Sequence, residues 1–169
     1  YNDAVLPGGV GYAGYQDFQG PLYVVSQYTA TDGTNGSAAT TYTISFWYYG
    51  AWMHRQGRGF GGFYAQRSYD SRNLILDYTY FLRQFPYTGS VFWRDVLPSS
   101  GTLISQDIHY YTHSTLGSGT EARHWPYSYQ DDHKDYETGG PFHGAQLRRV
   151  LTVRQPPDLV SGDFTDVTV

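Results

Sequence analysis

The chain has 169 residues, a net charge of -4 and no cysteine. This length suits a single domain or one section of something larger, and the lack of cysteine excludes disulfide staples and thiolate metal sites. A single Lys (Lys134) and scattered Arg residues, paired only at Arg148-Arg149, leave no basic stripe, so nucleic acid is not an expected partner.

The residue types point to strands. Two Glu, one Lys and one Met stand against 18 Tyr, 16 Thr and 20 Gly, so good helix formers are scarce and strand formers abundant. The expected fold is all-β. No apolar run is long enough to span a membrane. The chain opens without a basic and then apolar stretch, which predicts that no targeting segment is retained.

In chain order, Tyr1 to Gly20 reads as an irregular lead-in, and 21–169 as strands of the same module. Pro21 opens a predicted strand over Leu22 to Tyr28, followed by a small, polar hairpin loop from Thr31 to Ala39. Thr41 to Tyr48 has the clearest period: Tyr42, Ile44, Phe46 and Tyr48 alternate with Thr41, Thr43 and Ser45. Trp47 breaks this alternation, so the second face is not expected to be fully wet.

Gly57 to Gly62 is expected to interrupt the strands. A hairpin is predicted from Gly62–Asp70 and Leu74–Phe85, with Asn73 supplying a positive φ at the turn. Further strands are expected at Ser90–Leu97, Leu103–Thr112, Gln146–Gln155 and Phe164–Val169, separated by Gly- and Pro-rich turns. Strands every 10 to 20 residues with no helix between them predict antiparallel hairpins rather than βαβ units.

Several constellations invite chemical readings. Gly57, Gly59, Gly61 and Gly62 permit close backbone approaches, letting Phe60 and Phe63 turn inward while Arg58 meets a carboxylate or stacks on a ring. A phosphate loop would need a following helix and a Lys-Ser/Thr ending, which this stretch lacks. His109 and His113 would share a strand face but stand roughly 13 Å apart. His124, His133 and His143, with Asp131, Asp132 and Asp135, form the densest polar cluster. It reads as a solvated, turn-rich connection or, alternatively, a divalent-cation site. No Gly-x-Ser-x-Gly elbow occurs, and the separation of Glu121 and Glu137 is not fixed by sequence. No catalytic residue, cofactor or metal is assigned.

From Trp47 to Gly89 the order of features is more specific. Trp47-Tyr48-Tyr49 leads to Gly57-Arg58-Gly59-Phe60-Gly61-Gly62-Phe63, then Tyr69-Asp70, then Phe85-Pro86-Tyr87-Thr88-Gly89. This order resembles the Rhs/YD-repeat proteins, in particular the middle region of the B component of bacterial insecticidal toxin complexes and SpvB-type proteins. Trp125-Pro126-Tyr127 resembles the family's second aromatic-Pro-Tyr element. The stretch from Asp158 to Val167 resembles its D-x-x-G-N-x-T-x-V hairpin, with Asp163 in place of Asn.

The resemblance implies a secreted bacterial section of a curved β-shell that encloses a toxin polypeptide, without catalysis of its own. Its partners would be the remainder of the shell, other toxin-complex components and the cargo, with self-association through sheet edges. The competing reading is a secreted, aromatic-rich β-sandwich that binds carbohydrate through Trp52, Trp93 and Trp125. That reading requires the three rings to be exposed and roughly coplanar.

Overall fold

The computed structural model describes residues 15–31, 33, 40–55, 57–156 and 166–168, the last three as backbone only. The strands are β1 (Tyr15–Asp17), β2 (Gln27–Thr31), β3 (Thr41–Tyr49), β4 (Trp52–His54), β5 (Gly59–Gly62), β6 (Ala65–Asp70), β7 (Ile75–Phe81), β8 (Val91–Pro98), β9 (Ser105–Leu116), β10 (Arg123–Tyr136), β11 (Gln146–Arg154) and β12 (Asp166–Thr168). Two single-turn 3-10 segments, at Gly119–Glu121 and Gly140–Phe142, are the helical elements among the described residues.

Nine strands form one antiparallel sheet in the order β12-β11-β10-β9-β8-β7-β6-β3-β2. It is a meander with one excursion. Between β3 and β6 the chain leaves to make β4 and β5, which pair with β1 as a separate three-stranded sheet. Among the described residues no strand of one sheet pairs with a strand of the other.

The alternation predicted in β3 is present, and its odd member is accounted for. Trp47 stands on the face opposite Phe46 and Tyr48, where the Arg67 guanidinium lies 3.8 Å from its ring centroid and 5.9 Å from that of Tyr78. Cation–π stacking shields a large apolar side chain that a neighbouring layer would otherwise have to cover.

The β6–β7 hairpin also forms, but its turn differs from expectation in one residue. Asp70 accepts the backbone N–H of Arg72 at 2.9 Å, and Asn73 Oδ1 accepts that of Ile75 at 3.1 Å. Asn73 therefore acts through its side chain, while the left-handed backbone falls on Leu74, at φ 58°. A branched residue there is strained, and Leu74 is half exposed. Leu74→Gly is expected to raise stability by about 0.5–1 kcal/mol, the relief of strain exceeding the added chain entropy. A urea midpoint that stays level or falls would show that Leu74 makes offsetting contacts.

Other boundaries move. The strand expected from Leu22 joins the sheet only at Gln27. The lead-in contains β1, and the Gly-rich stretch is itself a strand, β5. Residues 32 and 34–39 of the expected hairpin loop, and most of the Asp158–Val167 hairpin, lie outside the described residues. The largest correction is β10: its polar residues lie on the longest strand of the sheet rather than on a turn-rich connection. Pro126 fits there because residues 123–128 pair with β9 alone, β11 joining only at Gln130.

The core is thin. Among the described residues, the buried apolar side chains are Trp52, Ala65 and Ile108, and the buried polar ones are Gln106 and Asp132.

Candidate functional site at the junction of the two sheets

The two sequence motifs meet in space. The loop after β4 puts the Arg58 guanidinium 3.6 Å from the ring centroid of Phe85, which opens the Phe-Pro-Tyr-Thr-Gly loop between β7 and β8. The backbone N–H of Phe85 donates to the Tyr15 hydroxyl at 3.0 Å, tying the same loop to β1. The Phe85–Pro86 peptide is cis. Gly89, at φ 81°, lets the chain reverse, and its N–H donates to the Leu82 carbonyl at 2.9 Å.

Trp52 is the centre of the small sheet. It is 2% exposed and meets Tyr15 edge-on, with ring centroids 4.9 Å apart. Gly61 lies flat against it: a Cβ on Gly61 would sit 2.3 Å from the Trp52 ring. This contact gives a physical reason for one glycine of the Gly-rich motif, since any larger residue would displace the indole. A cavity of about 160 Å³ remains between Trp52, Arg58, Phe60, Phe85 and Thr88.

From the small sheet, rings run back to the large one: Phe18–Phe60 at 5.1 Å, Phe60–Phe63 at 5.7 Å and Phe63–Tyr48 at 4.8 Å. On the other side the loop reaches β9 and β10. Tyr87 Oη is 2.6 Å from His113 Nδ1, and the Phe85 ring meets His124 edge-on at 5.3 Å. The junction therefore joins Arg58, Phe60, Phe63, Phe85, Pro86, Tyr87 and Gly89, with Gly57, Gly59 and Gly62 shaping the loop and strand that carry them. Tyr69 and Asp70 fall at the opposite end of β6, where Asp70 pairs with Arg72.

The three tryptophans expected to form a binding platform are not brought together as one. Trp52 is buried, Trp93 is half-buried on β8 opposite Tyr80 and Ile108, and Trp125 is 54% exposed on β10. The contribution of Tyr15 was not legible, because it lies in the stretch read as irregular.

The polar cluster on β10 is a ladder of ion pairs. Asp131 is held by Ser128, His109 and Arg154. Burial would raise its pKa, but these three partners together hold it below the usual carboxylate range. Asp132 receives a two-pronged bond from Arg149 at 2.7 and 2.9 Å, which lowers its pKa, with Lys134 adding at 3.4 Å. His133 places Nδ1 2.6 Å from Asp107 and Nε2 3.1 Å from Asp135. The bond to Asp107 leads in raising its pKa, and the Asp135 charge adds to it. His124, which meets Phe85, and His143, after the 3-10 turn, stand outside this ladder. These carboxylates are engaged by cations and hydroxyls. No group of three or more His, Asp or Glu side chains is arranged for a metal among the described residues.

Aromatic rings and one guanidinium join the two sheets, and cross-strand polar pairs join β9, β10 and β11. No curated protein and no solved structure gave a significant match. One protein-family model does match, over residues 16–84, and its description is the insecticide toxin TcdB middle/N-terminal region. That span holds the Gly-rich loop, Trp52 and Gly61, and ends just before the Phe-Pro-Tyr-Thr-Gly loop that docks on them. The match covers less than half of the chain, and it shows a similarity of that stretch to the toxin-complex family.

Proposed function

We propose that the chain is a non-catalytic section of an extracellular Rhs/YD-repeat β-shell that encloses and delivers a toxin polypeptide. The observation carrying this reading is a nine-stranded antiparallel sheet with few buried side chains among the described residues, from which Trp47, Tyr49, Tyr110, Trp125 and Tyr129 remain exposed. A self-sufficient domain buries such faces against another layer. A wall section instead leaves them for the remainder of the shell on one side and for the cargo on the other. The toxin-complex relationship of residues 16–84 supports the same reading.

The purified chain is expected to self-associate in light scattering, with iodide quenching of tryptophan emission falling as concentration rises and Trp47 and Trp125 become covered. A persistent monomer whose emission shifts on adding polysaccharide would overturn the shell role and support a sugar-binding module.

A further inference from the structure

The β2 side of the large sheet carries an unusual edge. From Phe18 through Thr31 the sequence has no charged residue. Within it, Gly20, Leu22, Val24 and Ser26 face a cavity of about 380 Å³ shared with Phe46, Tyr48 and Phe63. Tyr23 and Val25 project the other way and are 97% and 59% exposed. This is the two-residue alternation of a strand. Yet the Leu22, Tyr23 and Val24 backbone groups form no hydrogen bond among the described residues. Between Leu22 and Ser26, the hydrogen bonds among the described residues are Ser26 O accepting the Phe46 N–H at 2.7 Å and Val25 O accepting the Tyr48 hydroxyl at 3.1 Å. Next to it, β2 ends the sheet, and no strand among the described residues pairs with its outer side.

Natural proteins blunt such edges with Lys, inward-pointing charge or a covering element. Here only Pro21 interrupts the row, at its start. A row of free N–H and C=O groups is matched by another extended backbone, and an uncharged row of Tyr, Val and Thr disfavours a charged partner. We propose that the Leu22–Thr31 edge is a strand-addition site whose partner is an extended, uncharged segment with apolar side chains at alternate positions. The added strand pairs beside β2 and covers Tyr23 and Val25. This inference stands on the edge itself and holds whether or not the sheet encloses a cargo.

The test uses the full chain and a fluorophore-labelled ten-residue peptide of alternating Val and Thr. Anisotropy should show saturable binding, and hydrogen exchange should slow at the amides of 22–31. Val25→Lys should weaken binding at least tenfold, as should N-methylation of every peptide amide. Leu116→Lys, which adds the same charge at an equally exposed site on β9, should leave binding unchanged. Equal binding of the N-methylated peptide would overturn the proposal, since side-chain adhesion would then suffice. So would a lack of protection at 22–31, or an unaltered Val25→Lys. Because Val25→Lys leaves the exposed Trp125 in place, the quenching test of the shell role remains independent of this result.

Discussion

Trp52→Ala is expected to destabilise the chain by about 3–5 kcal/mol, the range for removing a large buried aromatic. Trp52 is the largest of the buried apolar side chains among the described residues. Its indole N–H is buried without an acceptor, so the residue is held there by ring area rather than by a polar contact. Gly61→Ala approaches the same contact from the other side. The added methyl would stand 2.3 Å from the ring, and overpacking of this kind costs about 1–3 kcal/mol. Gly61 does not have a left-handed backbone, so the penalty is steric alone. A double-mutant cycle separates the two effects. In the Trp52→Ala background, Gly61→Ala should fall to within about 0.5 kcal/mol of neutral, because the clashing ring is gone. Additive losses in urea unfolding would show that Gly61 is required for some reason other than the indole.

The same pair shows what sequence reasoning reaches. The order Gly-Arg-Gly-Phe-Gly-Gly-Phe then Phe-Pro-Tyr-Thr-Gly was readable, and so was the choice between a carboxylate and a ring for Arg58, of which the ring is observed. Its ring partner was not, because Phe85 reaches it through a loop whose path depends on where two sheets part. Strand β3 was legible because alternation of Tyr, Ile and Phe with Thr and Ser records one apolar face. Strand β10 was not, since Asp, His and Lys have low strand propensity and Pro126 argues against an interior strand. The missing information lay on other strands. Arg149 and Arg154 on β11, and Asp107 and His109 on β9, become the hydrogen-bonding partners of these residues only after the register is set. The strand expected over Leu22 to Tyr28 starts late for the converse reason: Leu22–Val25 has a strand's alternation but no ladder partner among the described residues.

The charge ladder yields the second large effect. Asp132 is 3% exposed, and its carboxylate accepts both prongs of Arg149 while Lys134 stands 3.4 Å away. Asp132→Ala is expected to cost about 2–3 kcal/mol. Breaking a buried pair generally costs about 3–5 kcal/mol, and the lower figure follows because Arg149 is half exposed and is rehydrated once released. Asp132→Asn keeps the shape and isolates the charge. The folded-state pKa of Asp132 lies below its unfolded value, so its contribution is fully present above the unfolded carboxylate pKa of about 3.9 and is lost as pH falls through the lower folded value. The stability gap between the native chain and Asp132→Asn should therefore be constant from pH 7 to about pH 5 and narrow steadily below about pH 4. Chemical denaturation across that range measures it directly. A gap that stays constant down to pH 2 would assign the role of Asp132 to packing and hydrogen bonding rather than to its charge, and β9, β10 and β11 would then be joined chiefly by their backbone ladders.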